Sequence, residues 1–435
     1  MKKEIVYASK LFLEKTKSKQ IKIISHFDTD GITSAAIIAR TLKKLDKRFS
    51  VKIVKNLENE FIKKLNTKEV LLFLDLGSGS LEELEKLENS VFIIDHHEIT
   101  GNAGENTTII NPHLFDEEEI SASGLSYLFS KALDSKNKEL ANLAVVGMVG
   151  DMLGKEISKL NNEIIEDAKI IIKKGLLIYP ATRPIHKALE YSSSIFIPGV
   201  TGNFKGVFNL LKESGIEKEN GKYKSLIELE ETELSKLITS ILMRTKQKTE
   251  DVIGNIYLIK LSNRIEDARE LSAMINACSR LNKSEISLSL CLENKNARKK
   301  AESIYVKYKQ HLISALNYAE QNKIEGKGYV IINAKNQIKD TMIGTVASIL
   351  SMSREYKEGT VIIGTSYDHE KIKVSARISG RNGRNVRELL SESMKTIHGE
   401  CGGHQKAAGC LVPKSQENQF MEILKKQLEI EVVKI

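Results

Sequence analysis

Three short strand-like runs, at 21–25, 70–74 and 91–94, each lead directly into a histidine or a carboxylate. This pattern constrains the fold more than any other feature of the sequence. The last two are continuous apolar runs, as suits parallel strands buried on both faces. A further β-rich run lies at 51–54, and 32–45 carries apolar residues at helical spacing. Strands alternating with helices predict a doubly wound α/β domain with a parallel sheet. In such a sheet ligands bind beyond the carboxyl ends of the strands, and that is where the polar residues stand.

Four polar motifs follow from this placement. His26-Phe27-Asp28-Thr29-Asp30-Gly31 follows the first run, Asp75-Leu76-Gly77 the second and Asp95-His96-His97 the third, while Gly147-Met148-Val149-Gly150-Asp151 closes a helical run within 121–174. In extended backbone, residues two apart share a side, so His26, Asp28 and Asp30 can converge. Two divalent cations about 3.5–4 Å apart need carboxylates, at least one of them bridging, and Asp75, alone at a central strand end, is the natural bridge. Mixed histidine and carboxylate ligands suit Mn²⁺ as well as Mg²⁺. Each motif also has an ordinary reading: Asp30 as a helix N-cap, Asp75 as a turn residue, His96-His97 as a surface pair, Asp151 as a cap. These readings share no cause, whereas one metal centre explains all four. The downstream ligands of a calcium loop are missing, and no His-Glu-x-x-His helix is present for a zinc protease.

The remainder of the chain sets the frame. At 435 residues it is long enough for two or three domains. With 41% hydrophobic and 28% charged residues it is globular and not disordered. Lys and Arg number 66 against 57 Asp and Glu, a net charge of +9 that fits a polyanionic partner or simple solubility. Cys278, Cys291, Cys401 and Cys410 form no C-x-x-C pair, which argues against a zinc knuckle or redox motif, and four cysteines in a chain of this size predict a reducing compartment. With no apolar leader and no membrane-length run, the expected location is cytoplasmic. Arg183-Pro184 and Ile197-Pro198-Gly199 punctuate the chain. The expected division is 1–194 for the metal-binding domain, 195–295 for an inserted mixed module, 296–325 for a connecting helix and 326–435 for a second α/β domain. That last domain carries strands at 328–333, 361–364 and 372–377 and a helix at 386–394. In Gly402-Gly403-His404 the glycines let backbone amides approach an anion and the histidine offers a donor; a buried turn histidine is the ordinary alternative. Arg377 is a phosphate candidate or an edge charge. Arg381, Arg384 and Arg387 form a basic track or merely solvate a loop.

Taken together the motifs resemble the DHH phosphoesterase superfamily. Asp95-His96-His97 is its namesake triplet, and Gly402-Gly403-His404-Gln405-Lys406-Ala407-Ala408-Gly409 resembles the glycine-rich signature of the DHH-associated domain, with Cys401 where the family often has a third glycine. The archaeal RecJ-like exonucleases are most similar, supported by Arg183-Pro184-Ile185-His186, by the stretch from Phe196 to Asn203 and by Ile275-Asn276-Ala277-Cys278-Ser279-Arg280-Leu281. The resemblance implies that His26, Asp28, Asp30, Asp75, His96 and Asp151 bind two Mn²⁺ or Mg²⁺ ions. Asp95 would orient His96, and His97 would face the scissile phosphate. Arg377, Gly402, Gly403 and His404 would hold substrate. It further implies a single-strand exonuclease acting on DNA or RNA, with 5′→3′ polarity and the GINS complex as a candidate partner. The rival readings are a phosphodiesterase of short oligoribonucleotides or cyclic dinucleotides, and a replication scaffold.

Overall fold

The computed structural model describes residues 1–429 apart from 66–67, 116–117, 155–156, 193–194, 196, 246–248, 354, 381 and 398. Phe196 and Arg381 therefore lie outside the described residues. The chain forms two compact units, Met1–Ile304 and Tyr305–Ile435.

Unit one is built on five parallel strands: β1 (Ile21–His26), β2 (Phe49–Val54), β3 (Val70–Leu74), β4 (Val91–Ile94) and β5 (Thr107–Ile110), in the order β2-β1-β3-β4-β5. The α/β class and parallel sheet expected from the apolar runs are present. β5 escaped the sequence reading because its first three residues are only partly buried, so no continuous apolar run marks it. In this order the chain switches direction between β1 and β3, and the crevice beyond their carboxyl ends is the general ligand position of such sheets. The helix Thr29–Lys44 is buried along thirteen of its residues. It lies among the helices Ala122–Leu133, Ala141–Gly150, Ala268–Arg280 and Ser284–Cys291. Gly31, Ser34, Ala35, Ala36 and Ala39 keep its surface small enough for that surround. The N-terminal helix Lys2–Lys15 is held by Phe12, whose ring meets Phe92 and Phe129 edge-on at 5.1 and 5.5 Å.

A smaller antiparallel sheet follows, made of β6 (Ile171–Leu176), β7 (Ile253–Leu261) and β8 (Arg264–Asp267) in the order β6-β7-β8. The apolar core of the middle region runs from Leu176 to Leu258. The expected module at 195–295 is thus displaced at both ends. Pro184 and Pro198 punctuate turns inside this module, and residues 268–291 form helices packed on Thr29–Lys44. The helix Ala297–Asn322 spans the junction of the two units.

Unit two is a six-stranded mixed sheet. It contains β9 (Ile324–Gly326), β10 (Tyr329–Asn333), β11 (Val361–Asp368), β12 (Lys371–Ile378), β13 (Glu400–His404) and β14 (Ala407–Pro413), in the order β13-β14-β12-β11-β10-β9. β10 and β11 run parallel and the other pairs antiparallel. The helices Val386–Ser393 and Glu417–Glu429 cover one face of this sheet, around Val374, Ala376, Cys410 and Val412. Arg384 donates to the carbonyls of Gln427 and Leu428 at 2.6 and 3.0 Å. It satisfies a helix C-terminus and does not extend a basic track. Among the described residues no helix is long and apolar enough to cross a membrane.

A partly buried ion-pair cluster ties three helical segments of unit one. Asp167 accepts from the Tyr127 hydroxyl at 2.8 Å, from Lys131, and from Lys138 at 3.2 Å. Burial opposes its ionisation, but the hydrogen bonds from Lys131, Tyr127 and Lys138 outweigh it and hold the carboxyl below its usual range. A depressed carboxyl contributes stability above its unfolded pKa and loses it as pH falls. Asp167→Asn should lower the stability of unit one by about 1.5–3 kcal/mol at neutral pH. The gap to the native chain should close as pH drops through the carboxylate range; urea unfolding at several pH values measures both.

Candidate metal centre

The motif after β1 turns directly into a helix. Asp28 is its N-cap, accepting from the Gly31 N–H at 3.0 Å, so the capping role considered for Asp30 belongs to Asp28. Asp30 sits one residue into the helix and is buried. Its two carboxylate oxygens accept from the Ala122 and Ser123 N–H groups at 2.6 and 3.0 Å. These open the helix Ala122–Leu133, where amide donors and the helix dipole favour an anion. Gly147 explains the glycine in the fourth motif, since a Cβ there would stand 2.4 Å from Asp30 Oδ1 and 2.0 Å from Ser123 Oγ. Asp151 then caps the C-terminus of Ala141–Gly150.

Asp75 is the pivot. Its backbone is left-handed, with φ of +60°, a conformation that Asp tolerates better than most residues. Its N–H still continues the ladder to Ile94 at 2.9 Å. Oδ2 lies 3.2 Å from His26 Nδ1, which is itself 3.0 Å from Asp28 Oδ2. Oδ1 lies 3.4 Å from His96 Nε2, which is 3.5 Å from Asp151 Oδ2. Three groups of donor atoms, His26 with Asp28 and Asp75, Asp30 with His96 and Asp151, and Asp75 with His96 and His97, each gather within 4.8 Å. All six expected ligands thus converge at one end of the sheet, with Asp75 between the first two groups.

The electrostatics are those of crowded anions. Burial and then the charge of Asp28 push the Asp75 carboxyl up to about 6, against the adjacent imidazoles of His26 and His96. Burial and the charges of Asp30, Asp75 and Asp28 push Asp151 well up. Burial works against ionisation of His96, but the Asp75 carboxylate 3.4 Å away and the charge of Asp30 raise it to about 9. His26 rises well above the usual range for the same kind of reason, Asp28 and Asp75 outweighing burial. Asp75 Oδ1 and Asp151 Oδ2 are buried without a hydrogen-bond partner.

Asp95 corrects one expectation. Its Oδ1 accepts from His97 Nδ1 at 2.7 Å and from the His96 backbone N–H at 2.8 Å, and Oδ2 accepts from the Ser78 N–H at 3.0 Å. It therefore orients the His97 ring, not that of His96, because its carboxylate is folded back under its own turn. Several supporting residues carried no motif. Asn111 donates to Ser78 Oγ and to the His97 carbonyl, both at 2.9 Å. His113 donates to the His96 carbonyl at 3.1 Å. Asn276 accepts from the Thr29 N–H at 3.0 Å, bracing the ligand turn from 247 residues away. Only Asn276 stood in a stretch that the sequence reading had marked.

Unit two brings together the other candidates. The glycine-rich segment is β13, an edge strand whose hairpin turn is Gln405-Lys406. His404, Ala407 and Arg377 stand in one cross-strand row, and Gly402, Gly409 and Ser375 in another. Residues two apart share a face, so Gly402, His404 and Arg377 share the face opposite the Val374–Cys410 core. Arg377 is steadied by Ser348 Oγ at 2.9 Å and by the carbonyl of its neighbour Ala376 at 2.8 Å. Gly403 has φ of +118°, and a Cβ there would meet the Ala407 carbonyl at 2.5 Å, whereas one at Gly402 would meet nothing within 4 Å.

The chain matches three family models: the DHH family N-terminal domain over residues 20–148, the DHH-CID domain over 179–252 and the DHHA1 domain over 326–430. It is 31% identical over 450 residues to the uncharacterized protein MJ0831 of Methanocaldococcus jannaschii, covering 98% of each chain. RecJ from Thermus thermophilus, in complex with Mn²⁺, superposes with a TM-score of 0.63 at 18% identity, over 99% of this chain but only 55% of that one. CDC45 from Entamoeba histolytica superposes with a TM-score of 0.66 at 12% identity, over 99% of both. At such identities these structures show the shared fold alone. With three matching models in order along the chain and a relative aligned end to end, the protein belongs to the DHH family.

Proposed function

We propose that the protein is a two-metal-dependent exonuclease that releases mononucleotides from the end of single-stranded DNA or RNA, with 5′→3′ polarity, in replication or repair. The observation that carries this reading is the Asp75 carboxylate, which faces a different donor group with each oxygen. The donor set fits divalent cations on its own chemistry: four carboxylates and two imidazoles converge, and two carboxylate oxygens are buried without partners. His26, Asp28 and Asp75 would hold one cation; Asp30, His96, Asp151 and Asp75 would hold the other. Bound there, the cations supply an activated water and neutralise charge building on phosphorus.

The protein's own groups do the rest. Helix-terminal amides fix Asp30, and the Gly31 N–H fixes Asp28. Asp95 binds His97 Nδ1, which leaves Nε2 to donate to a phosphate oxygen, and its charge favours the imidazolium. In unit two the exposed Gly402 and His404, with Arg377 on the same face, grip the strand through its phosphates. The GINS complex remains the candidate partner by family resemblance.

Asp75→Asn tests the bridge, since Asn also tolerates the left-handed backbone. Turnover in Mn²⁺ should fall below about a tenth of native. The metal-free variant should melt no lower than the native chain, because one buried charge is gone, and its gain in Tm on adding Mn²⁺ should shrink. A turnover near native would remove Asp75 as the bridge.

Metal-free native protein should lose stability as pH rises. The folded Asp75 and Asp151 carboxyls keep protons above the usual carboxylate value of 3.8, up to about 6 for Asp75, so unfolding releases protons over that window. Saturating Mn²⁺ should flatten this decline; a melting series with and without EDTA reads it directly.

End-labelled strands decide substrate and grip. A 5′-labelled strand should yield labelled mononucleotide at once, whereas a ladder of shortening labelled products would reverse the polarity. Cleavage confined to dinucleotides would favour the small-substrate reading. His404→Ala should cost about tenfold to a thousandfold in kcat/KM, roughly 1.4–4 kcal/mol. Gly402→Ala, which has room for its methyl group, should weaken strand binding. Both should leave Tm and Mn²⁺ affinity unchanged.

A further inference from the structure

The middle module carries a cluster of rings that the metal centre does not use. Phe204 and Phe208 meet at 4.5 Å, Phe208 and Tyr223 at 5.7 Å, and the His186 ring lies 5.3 Å from Tyr223 and 6.3 Å from Phe208, at 30° to the latter. Phe204 opens the helix Phe204–Glu213, whose Val207, Leu210 and Leu211 supply the core, yet its own ring is 61% exposed. Tyr191, equally exposed, follows the helix Ile185–Glu190, and the Gly202 N–H donates to the Glu190 carbonyl at 2.9 Å, bringing the two ring-bearing segments together. Phe208, Tyr223 and His186 are half-buried and anchor the cluster, while the exposed Phe204 ring forfeits burial that the core could have used, which is the mark of a surface kept for binding.

The charges around the rings choose the occupant. Lys218 Nζ stands 6.0 Å from the Phe208 centroid and 5.5 Å from that of Tyr223. Arg183 is taken up by Glu270, Lys224 by Glu219 and Glu233, and Glu213 by Arg244. Among the described residues Lys187, Lys205, Lys212 and Lys222 form no ion pair, against Glu190 and Glu217 as the nearby acids in sequence. Burial and the charge of Lys187 lower the His186 pKa, so its ring stacks as a neutral imidazole. Flat rings with the Lys218 ammonium beside them, on a module whose other unpaired lysines outnumber its unpaired acids, match the bases and phosphates of a single strand.

We propose that Phe204, Phe208, Tyr223, Tyr191 and Lys218 form a stacking platform for single-stranded nucleic acid, separate from the metal centre. It engages the strand beyond the residues undergoing cleavage and favours long substrates over short ones. The test uses the full chain in EDTA, with fluorescent oligo(dT) and oligo(U) of about 20 nucleotides, longer than the roughly 4–16 that one single-strand site covers. Phe204→Ala and Lys218→Gln should each weaken binding by roughly fivefold to a hundredfold, while Phe204→Tyr keeps it. Because Phe204 is exposed, Tm should not change, and dinucleotide hydrolysis in Mn²⁺ should stay native. Unchanged affinity in both variants, or no strand binding by the native chain, overturns the platform and points to a protein partner for these rings. The outcome is separable from the nuclease reading: Phe204-dependent binding without hydrolysis keeps the platform and sinks the nuclease, and hydrolysis without Phe204 dependence does the reverse.

Discussion

Carboxylates that repel one another are held together at the carboxyl edge of the parallel sheet, and the rest of unit one is arranged to permit it. Asp28, Asp30, Asp75 and Asp151 cannot all ionise in a buried crevice without compensation, and the upward shifts of Asp75 and Asp151 record that conflict. Part of the compensation is internal. Backbone N–H groups of Gly31, Ala122 and Ser123 point at Asp28 and Asp30, and those of Ser78 and His96 at the neighbouring Asp95. The two imidazoles, His26 and His96, supply positive charge on either side of Asp75. The oxygens left without partners mark where that internal compensation stops.

The surrounding packing follows from the same constraint. Asp30 can hold the amides of Ala122 and Ser123 with the helix Ala141–Gly150 packed close because residue 147 is glycine; a Cβ there would strike Asp30 Oδ1 and Ser123 Oγ. The turn carrying Asp28 and Asp30 is braced from outside by Asn276 and by the Ser272 carbonyl, on a helix contributed by a distant part of the chain. The ligand end of the sheet thus depends on contacts that close only when the whole unit has folded. This is how a rigid scaffold holds several side chains in a fixed arrangement.

Unit two solves a different problem with different physics. It presents Gly402, His404 and Arg377 on one face of an antiparallel hairpin, while the alternate residues, Cys410 and Val374 among them, enter the core. The period-two alternation lets a strand expose backbone and polar side chains without losing its hold on the core. Gly403 is needed because a Cβ would strike the facing strand, whereas Gly402 leaves open space for an approaching anion. The two glycines of one motif therefore have different physical causes.

Much of this was legible in the residues alone. Apolar runs at 70–74 and 91–94 announce buried parallel strands because full burial on both faces leaves no room for polar alternation, and polar residues at their ends fall at the ligand edge by the geometry of the sheet. Three of the four motifs could be placed at that edge for this reason, whereas the full set of six ligands, with Asp151 at a helix end, came from the family resemblance. β5 stayed hidden because a half-exposed edge strand has no continuous apolar run, and the middle module was misplaced because prolines mark turns within a module as readily as boundaries between modules. What only the tertiary structure decided was pairing at a distance. The partner of Asp95 is His97 and not His96, Asn276 braces Thr29, and the glycine motif is an edge strand. Sequence spacing determines which side chains can share a face, but the choice among partners is made by packing between elements remote in sequence, where differences of an ångström settle which hydrogen bond forms.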